Sequence, residues 1–307
     1  PYQRPPLSKD YLAGKISVEK TLVRPEEFYS SKNIVVNLNT KVEEIDLEQN
    51  TVSTASAETF KYDNLVIATG SRARELKIPG SELNGIHYLR SIKDVDSIRD
   101  EMRTAREICI VGGGYIGLEV AAVASVLGLK VTVLEMESRI LKRVTTPEMS
   151  EFYHALHTKK GVDIICGAQV KSFEGESSVT SIVTEEKTFK SDLVIVGIGI
   201  LPNLELAQNA GIDCENGILV NESCQTSVKN VYAIGDCSNH PNPILNRRLR
   251  LESVPNAMEQ ARVAANNILG GDKKYSTIPW FWSDQYDLKL QMLGFSADGD
   301  RSVIRGE

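Results

Sequence analysis

The distribution of apolar residues along the chain predicts short buried strands that alternate with helices. The clearest example is segment 107–135, where an apolar run, Ile108–Val111, leads into a glycine-rich turn and then a helical pattern that extends to Gly128. A second apolar run, Lys130–Leu134, ends at Glu135. Strands that alternate with helices of this length are typical of βαβ units with parallel sheets. The pattern therefore predicts an α/β protein.

The rest of the chain alternates between strand-like and helical segments in the same way. Two small meanders and two further strands are predicted, at 35–46, 51–60, 168–173, 179–184, 187–189, 217–220 and 231–234. The predicted helices are 147–160, 204–210 and 255–269, the first of which begins at a proline, a favourable residue for a helix start. Residues 302–307 have the pattern of a β-rich segment.

The glycine-rich turn has the spacing of a dinucleotide-binding unit, G-x-G-x-x-G. Gly112 would allow the tight turn, Gly114 would let the backbone approach a pyrophosphate, and Gly117 would let the helix pack closely on the strand. The start of the helix would also offer free N–H groups and the positive end of its dipole to phosphates. A flanking strand, helix, strand and terminal acid make this a specific signal for a bound dinucleotide.

The acid at the end of the second strand indicates which dinucleotide is bound. Glu135 lies 23 residues after Gly112, where a carboxylate can bind both ribose hydroxyls of NAD and would repel the 2′-phosphate of NADP. Arg139 could weaken this preference, although a solvated turn is the simpler place for that arginine. The sequence therefore predicts NADH.

Two segments, 59–70 and 188–199, resemble each other, each with a polar turn, a buried strand and a glycine-bearing loop. The glycine fingerprint begins at Gly112, 77 residues before Phe189 in the second segment. A fingerprint at the same distance before Phe60 in the first segment would lie before residue 1. We therefore expect a first fingerprint upstream, a chain truncated at both ends, and weak or no retention of FAD by these 307 residues alone.

Composition narrows the class of protein. The 307 residues are 41% hydrophobic and 25% charged, which suits a globular protein of two domains, or two and a part. The net charge of −6 argues against a nucleic-acid partner, and no apolar run is long enough for a membrane span. The cysteines have neither C-x-x-C nor metal-ligand spacing, so we expect inert thiols in a reducing cytoplasm and no metal site; they are Cys109, Cys166, Cys214, Cys224 and Cys237.

The order of motifs resembles the FAD-dependent pyridine nucleotide-disulfide oxidoreductases of the ferredoxin-reductase type. The motifs that carry the resemblance, besides the glycine fingerprint, are PYQRPPLSK at 1–9, ATG at 68–70, YAIGD at 232–236, ESVPNA at 252–257 and PWFWSDQ at 279–285. The resemblance implies two Rossmann-like dinucleotide-binding domains in a glutathione-reductase-like three-layer arrangement, and the start of an α+β C-terminal domain. It implies an FAD domain at 1–92 and 224–277 without its first βαβ unit, an NAD domain at 93–223, and a C-terminal domain from 278 to 307.

The resemblance also implies cofactor contacts. Asp236 ends an apolar strand, where it would accept a hydrogen bond from a ribityl hydroxyl unless it only forms the turn. Val254 would offer its N–H to the flavin carbonyl edge, and Val42 would meet the adenine. Arg90 would contact FAD, with a simple ion pair as the alternative. The implied FAD-binding residues are Arg4, Pro6, Lys9, Val42, Ala68, Thr69, Gly70, Arg90, Asp236, Val254 and Trp282, and the implied NAD-binding residues are Gly112, Gly114, Tyr115, Ile116, Gly117, Glu119, Glu135 and Gly199.

Three of these residues are candidate catalytic groups. The resemblance implies that Lys9 and Glu119 pair with each other beside the flavin N5 atom, where a hydride arrives. Without it, Glu119 could simply complement the helix dipole, and Lys9 would be interpreted as a solvated lysine. Trp282 is implied to lie against the flavin near the electron exit, although tryptophans of this kind are more often core residues.

The function implied is NADH-dependent reduction of FAD, followed by electron delivery to a [2Fe–2S] ferredoxin that serves a cytochrome P450 or a ring-hydroxylating oxygenase. An acidic ferredoxin could dock on the densest basic cluster, unless that cluster is only a solvated face; the cluster is Arg247, Arg248, Arg250 and Arg262. Alternatives are a rubredoxin or monodehydroascorbate reductase and, from another class, a flavin scaffold like apoptosis-inducing factor. A disulfide reductase is disfavoured because 5–9 carries no cysteine.

Overall fold

The computed structural model of the chain describes residues 1–296 and 300–306. The α-helices of these residues are α1 Glu26–Ser31, α2 Ile92–Met102, α3 Tyr115–Val126, α4 Pro147–Lys159, α5 Glu205–Asn209 and α6 Val254–Ile268. The strands are β1 Val42–Asp46, β2 Thr51–Thr54, β3 Thr59–Lys61, β4 Leu65–Ile67, β5 Ser71–Ala73, β6 Ile86–Tyr88, β7 Glu107–Val111, β8 Lys130–Glu135, β9 Val162–Cys166, β10 Val170–Glu174, β11 Ser181–Thr184, β12 Thr188–Lys190, β13 Leu193–Val196, β14 Ile200–Pro202, β15 Cys214–Glu215, β16 Gly217–Leu219, β17 Val231–Ala233, β18 Ser238–Asn242, β19 Arg247–Leu249, β20 Trp280–Gln285 and β21 Leu288–Leu293.

A parallel five-stranded sheet forms the centre of the first half, in the order β6-β13-β7-β8-β9. Every residue of β13 is buried, as expected for a parallel strand covered on both faces. Helices α2, α3 and α4 cover one face, where Ile98, Leu118 and Tyr153 share a core cluster with strand residues. The meander β10-β11-β12 covers the other face through Phe173 and Ile182. The result is three layers: helices, sheet and meander.

A second core brings together segments that are far apart in sequence. Ile45 of β1, Ile67 of β4 and Val231 of β17 pack with Ala207 of α5 and Ile218 of β16. Strands β4 and β17 pair in parallel, and β5 pairs with β14. The segment from β14 to β17 therefore packs with the first 75 or so residues rather than with the five-stranded sheet.

The C-terminal hairpin β20–β21 packs back onto the first half of the chain. Leu290 of β21 belongs to the same core cluster as Leu118 of α3, and Met292 packs against that cluster. This contact places β20 beside the start of α3, where the glycine turn ends.

Most predicted elements are confirmed to within a few residues, and three predictions are wrong. The predicted strand 35–46 is a strand only from Val42 to Asp46, because β1 pairs with β2 from Val42 onward; Val35 and Leu38 are 83% and 69% exposed. The predicted strand 51–60 is two strands, β2 and β3, because the chain turns at Ala57 with a φ of +62°. Residues 302–306 form no strand within the described part of the chain, and residue 307 of that prediction lies outside it. No helix among the described residues is both long and apolar enough to cross a bilayer.

Candidate functional site

The glycine turn between β7 and α3 is shaped by close contacts that only glycines permit. A Cβ on Gly112, whose φ is +111°, would lie 2.4 Å from the carbonyl oxygen of Gly197, and one on Gly117 would lie 2.0 Å from that of Gly112. At Gly114, by contrast, a Cβ would meet no atom of the described residues within 4 Å. Gly114 therefore borders open space at the N-terminus of a helix, which fits a phosphate group.

Glu135 is held against the same turn. Its Oε2 accepts a 2.6 Å hydrogen bond from the backbone N–H of Gly113, and its Oε1 accepts one of 2.7 Å from Glu137. A Cβ on Gly113 would lie only 3.0 Å from Glu135 Oε2, so this glycine also serves the site. Sequence reasoning gave Gly113 no role, although its place between two assigned glycines was a signal.

Arg139 is not in a solvated turn, which corrects the sequence interpretation. Its Nη1 donates to the carbonyl of Thr145 at 3.0 Å and to Ser150 Oγ at 2.5 Å, and its Nη2 donates to the carbonyl of Lys142. These bonds hold the guanidinium within its own loop. Arg139 therefore does not offset the negative charge of Glu135.

A buried ion pair lies beside the start of α3. Lys9 Nζ is 2.7 Å from Glu119 Oε2, and the two side chains are 17% and 2% exposed. The same carboxylate oxygen accepts a 2.5 Å bond from Ser8 Oγ, while Oε1 accepts one of 2.7 Å from Ser283 Oγ. Sequence reasoning missed both serines, although Ser8 adjoins Lys9 and Ser283 follows Trp282. The carboxylate thus has three donors, which a buried charge requires.

The two tryptophans lie on the face of β20 that is opposite to Ser283. Trp280 and Trp282 stack with ring centroids 5.2 Å apart and planes inclined by 23°. Because alternate residues of a strand face opposite sides, Ser283 and Gln285 turn towards Glu119 while both indoles turn away. Trp282 is half-buried, so part of its ring remains accessible.

Asp236 and Arg90 meet where β4 and β17 end. Arg90 Nη2 lies 2.8 Å from Asp236 Oδ2, and Ser71 Oγ donates to the same oxygen at 2.7 Å. Arg90 Nε also donates to the carbonyl of Ser71. The ion pair that sequence analysis kept as the alternative for Arg90 is therefore present, and it joins the two residues implied for FAD.

The Ala68-Thr69-Gly70 turn completes this region. Thr69 exchanges hydrogen bonds with Asn203, whose backbone N–H also donates to the carbonyl of Gly70. A Cβ on Gly70 would lie 3.9 Å from both Arg4 Nη1 and Arg90 Nη2. Two guanidinium groups beside a strand-end turn fit a pyrophosphate, which arginine forks bind well.

The remaining implied residues are spread around these groups. Val254 begins α6 and Val42 begins β1, and both side chains are partly exposed. Gly199 has a φ of +102° and follows β13, and Pro6 lies in the short helical turn just before Lys9. Ile116 is 43% exposed, whereas the hydroxyl of Tyr115 donates to Met292 Sδ at 3.0 Å. Burial raises the pKa of Tyr115, which therefore stays neutral.

The arginine cluster is largely engaged in internal contacts. Arg250 pairs with Glu252 at 2.7 Å, and Arg262 pairs with Glu259. Arg248 donates to the carbonyl of Val220 at 2.8 Å and also to Asn239. The guanidinium of Arg247 lies 5.2 Å from the ring centroid of Phe295. These contacts weaken the case for the cluster as a docking surface.

All five cysteines are free thiols, and burial raises the pKa of each, to about 12 for Cys224. A thiol with a raised pKa is a poor nucleophile at neutral pH. The thiols therefore give no support to cysteine redox chemistry.

Comparison with known proteins identifies the class. Residues 1–261 match the family described as pyridine nucleotide-disulphide oxidoreductase, and residues 280–307 match the reductase C-terminal domain. The chain therefore belongs to the pyridine nucleotide-disulphide oxidoreductases, and the predicted family and fold class are confirmed.

Its relatives within this class include named electron-transfer reductases. The chain is 42% identical to putidaredoxin reductase of Pseudomonas putida, in an alignment that covers all of this chain and 74% of that protein. In the solved covalent complex of putidaredoxin reductase with putidaredoxin, the reductase superposes with a TM-score of 0.96 at 42% identity, covering all of this chain and 75% of that one. The chain is also 39% identical to rubredoxin-NAD(+) reductase of Pseudomonas putida, over 99% of this chain and 80% of that protein.

Proposed function

We propose that this protein is an NADH-dependent flavoprotein reductase that passes electrons from NADH through FAD to a [2Fe–2S] ferredoxin, which serves a cytochrome P450 or a ring-hydroxylating oxygenase. The observation that carries the proposal is the Lys9–Glu119 ion pair, which is buried between the glycine turn and the C-terminal hairpin β20–β21. The similarity to putidaredoxin reductase, whose covalent complex with putidaredoxin is known, supports the choice of acceptor.

The side chains and the glycine turn of the site indicate which cofactors it would bind. When bound, FAD would supply acceptance of a hydride from NADH and release of single electrons, chemistry that the protein side chains do not supply. Arg4, Arg90 and Asp236 would hold FAD, and Gly114 with the first turn of α3 would hold the NADH pyrophosphate. The Lys9 ammonium and the Glu119 carboxylate would orient the two cofactors. They would also hold a fixed pair of charges at the place where FAD and NADH meet.

Preference for NADH is assigned to Glu135. Its carboxylate is fixed by Gly113 and Glu137, and Arg139 is retained in its own loop. A fixed negative charge at this position favours ribose hydroxyls over a 2′-phosphate. We further place the protein in the cytoplasm, which the five free thiols support.

The two packed cores support a revised division into domains. We assign residues 1–75 and about 200–277 to the FAD domain, because α5 and β16 share a core with β1, β4 and β17. The NAD domain is then 76–199, which includes strand β6 of the five-stranded sheet and differs from the limits of 93 and 223 expected from sequence. Residues from 278 onward are assigned to the C-terminal domain.

The proposal is tested by anaerobic rapid mixing of the FAD-saturated protein with NADH or NADPH, followed at the flavin absorption band. We expect NADH to bleach the flavin much faster than NADPH, because Glu135 repels the extra phosphate. Equal rates with both cofactors would contradict the assignment of Glu135, and no bleaching with either would contradict the proposed reductase.

A rubredoxin reductase is the second candidate, because the chain resembles a protein of that name over nearly its whole length. The NADH and FAD half of the reaction is the same in both cases. Only a comparison of acceptors separates them.

A further inference from the structure

A line of buried polar side chains runs from the Lys9–Glu119 pair through the C-terminal hairpin to helix α4. Ser283 Oγ bonds Glu119 Oε1 at 2.7 Å, and Gln285 Nε2 bonds Ser283 Oγ at 3.1 Å. His157 Nε2 lies 2.8 Å from Gln285 Oε1. Its Nδ1 lies 3.1 Å from the hydroxyl of Tyr286. Nothing in the proposed function requires the residues beyond Ser283.

The direction of every bond in this line is fixed by the carboxylate at its end. An ionised carboxylate can only accept, so the Ser283 hydroxyl must donate to Glu119. Ser283 then accepts from Gln285, which must present its amide NH₂ to the serine and its carbonyl oxygen to the histidine. His157 must therefore carry its proton on Nε2, and its Nδ1 is left to accept from Tyr286. All four donors point towards Glu119.

Because the line is buried, breaking or reversing any of its hydrogen bonds is costly. Glu119 is 2% exposed, while His157, Ser283 and Gln285 are fully buried. A buried polar group left without its partner loses its hydration with no hydrogen bond in return. The line also joins three elements from different parts of the chain: α3 carries Glu119, β20 carries Ser283 and Gln285, and α4 carries His157.

The histidine is suited to a fixed tautomer rather than to proton transfer. Burial lowers the pKa of His157, the bond to Gln285 raises it, and nearby His154 lowers it. Tyr286 also faces the ring, and Lys160 Nζ lies 5.4 Å from the centroid of the Tyr286 ring. His157 is therefore neutral at physiological pH, and the amide of Gln285 does not relay protons.

We propose that Gln285 and His157 are positioning residues: they hold the Ser283 side chain where its hydroxyl donates to Glu119, and so keep the Glu119 carboxylate in the orientation in which it pairs with Lys9. The C-terminal hairpin thereby sets the geometry of the Lys9–Glu119 pair, beside which the hydride is proposed to be transferred. This inference rests on the proposed function, in which Lys9 and Glu119 lie where the two cofactors meet.

The sharpest test is Gln285→Leu, which has a similar volume but can neither donate to Ser283 nor accept from His157. Without the bond from Gln285, the Ser283 side chain loses its second partner and can turn away from Glu119. We expect NADH-driven flavin reduction in the FAD-saturated protein to slow about tenfold, as in Ser283→Ala. The matched control is His154→Asn, which alters a histidine on the same helix outside the line and should leave the rate unchanged.

A second readout does not depend on the reaction. Nitrogen NMR of the parent protein should show His157 protonated on Nε2, with a pKa below the ordinary value of 6.5. Gln285→Leu removes the acceptor of that proton and should lower the pKa further. A His157 protonated on Nδ1 would reverse the direction of the line and overturn the inference.

The outcomes separate this inference from the proposed function. If Glu119→Gln slows flavin reduction while Gln285→Leu does not, the positioning role is wrong and the reductase stands. If neither substitution changes the rate, the placement of the ion pair where the hydride is transferred is itself wrong. In the Glu119→Gln background, Gln285→Leu should add little further loss, because the two residues act through one contact.

Discussion

At the scale of single residues, burial separates the candidate site from ordinary surface charges. Lys9 viewed in isolation is a lysine in a polar stretch, and only the resemblance to a family gave it a role. In the structure its side chain is 17% exposed and bonds both Glu119 and the carbonyl of Pro5. Spacing could not predict this pair, because its members lie 110 positions apart and meet only when the first residues pack against α3.

Neutralising Glu119 is expected to slow hydride transfer without preventing folding. Glu119→Gln keeps the shape and the bond from Ser283 but leaves the Lys9 ammonium without its counter-charge. We expect flavin reduction by NADH to fall roughly 10- to 100-fold, measured by anaerobic rapid mixing. Lys15→Met is the control, because Lys15 is 67% exposed and lies 3.8 Å from Asp10. A rate unchanged in Glu119→Gln would refute the assignment.

His240 is expected to make the folded protein sensitive to acid. Burial, with a smaller contribution from Arg248, lowers the pKa of this histidine to about 4, against an ordinary value of 6.5. Below pH 6.5 the unfolded chain binds a proton that the folded chain refuses, so stability falls as the pH falls towards 4. From pH 7 to pH 5 the loss is about 2 kcal/mol.

The check is urea unfolding at both pH values. His240→Asn should reduce the pH dependence, while the part due to buried His157 remains. An undiminished dependence in His240→Asn would show that another group is responsible.

At the scale of elements, the sequence predicted those helices and strands that interactions between neighbouring residues determine. The unit β7-α3-β8 was predictable because its apolar runs and glycines are contiguous. The strand predicted at 35–46 failed in its first half, because a strand needs a partner strand and residues 35–40 have none among the described residues. The hairpin β20–β21 shows the same limit. Its motif was visible, but its packing against α3 depends on Leu290 and Met292 reaching a distant core.

Two glycines of one turn are expected to respond differently to the same substitution. Gly117→Ala would place a Cβ 2.0 Å from a backbone carbonyl, so we expect a loss of about 3 kcal/mol or more in the free energy of unfolding. Gly114→Ala meets open space at a φ of −83°, so its stability should change by about 1 kcal/mol or less. Its NADH affinity should nevertheless fall, because the methyl group takes the place of the pyrophosphate.

Denaturant unfolding and NADH titration of both variants measure the two effects. Unchanged NADH binding in a well-folded Gly114→Ala would show that the open space is not the phosphate site.

At the scale of the whole molecule, the two proposed cofactor regions lie in different parts of the fold. The glycine fingerprint lies at the end of β7, in the five-stranded sheet, whereas the arginines and the aspartate assigned to FAD lie around the ends of β4 and β17.

In the proposed reaction, electrons leave the flavin for an iron–sulfur carrier. The most direct measurement is NADH-driven cytochrome c reduction by the FAD-saturated protein, alone, with a [2Fe–2S] ferredoxin and with a rubredoxin at equal concentration. We expect strong stimulation by the ferredoxin and much less by the rubredoxin. If the flavin is reduced quickly by NADH but the ferredoxin leaves cytochrome c reduction unchanged, the proposed acceptor is wrong.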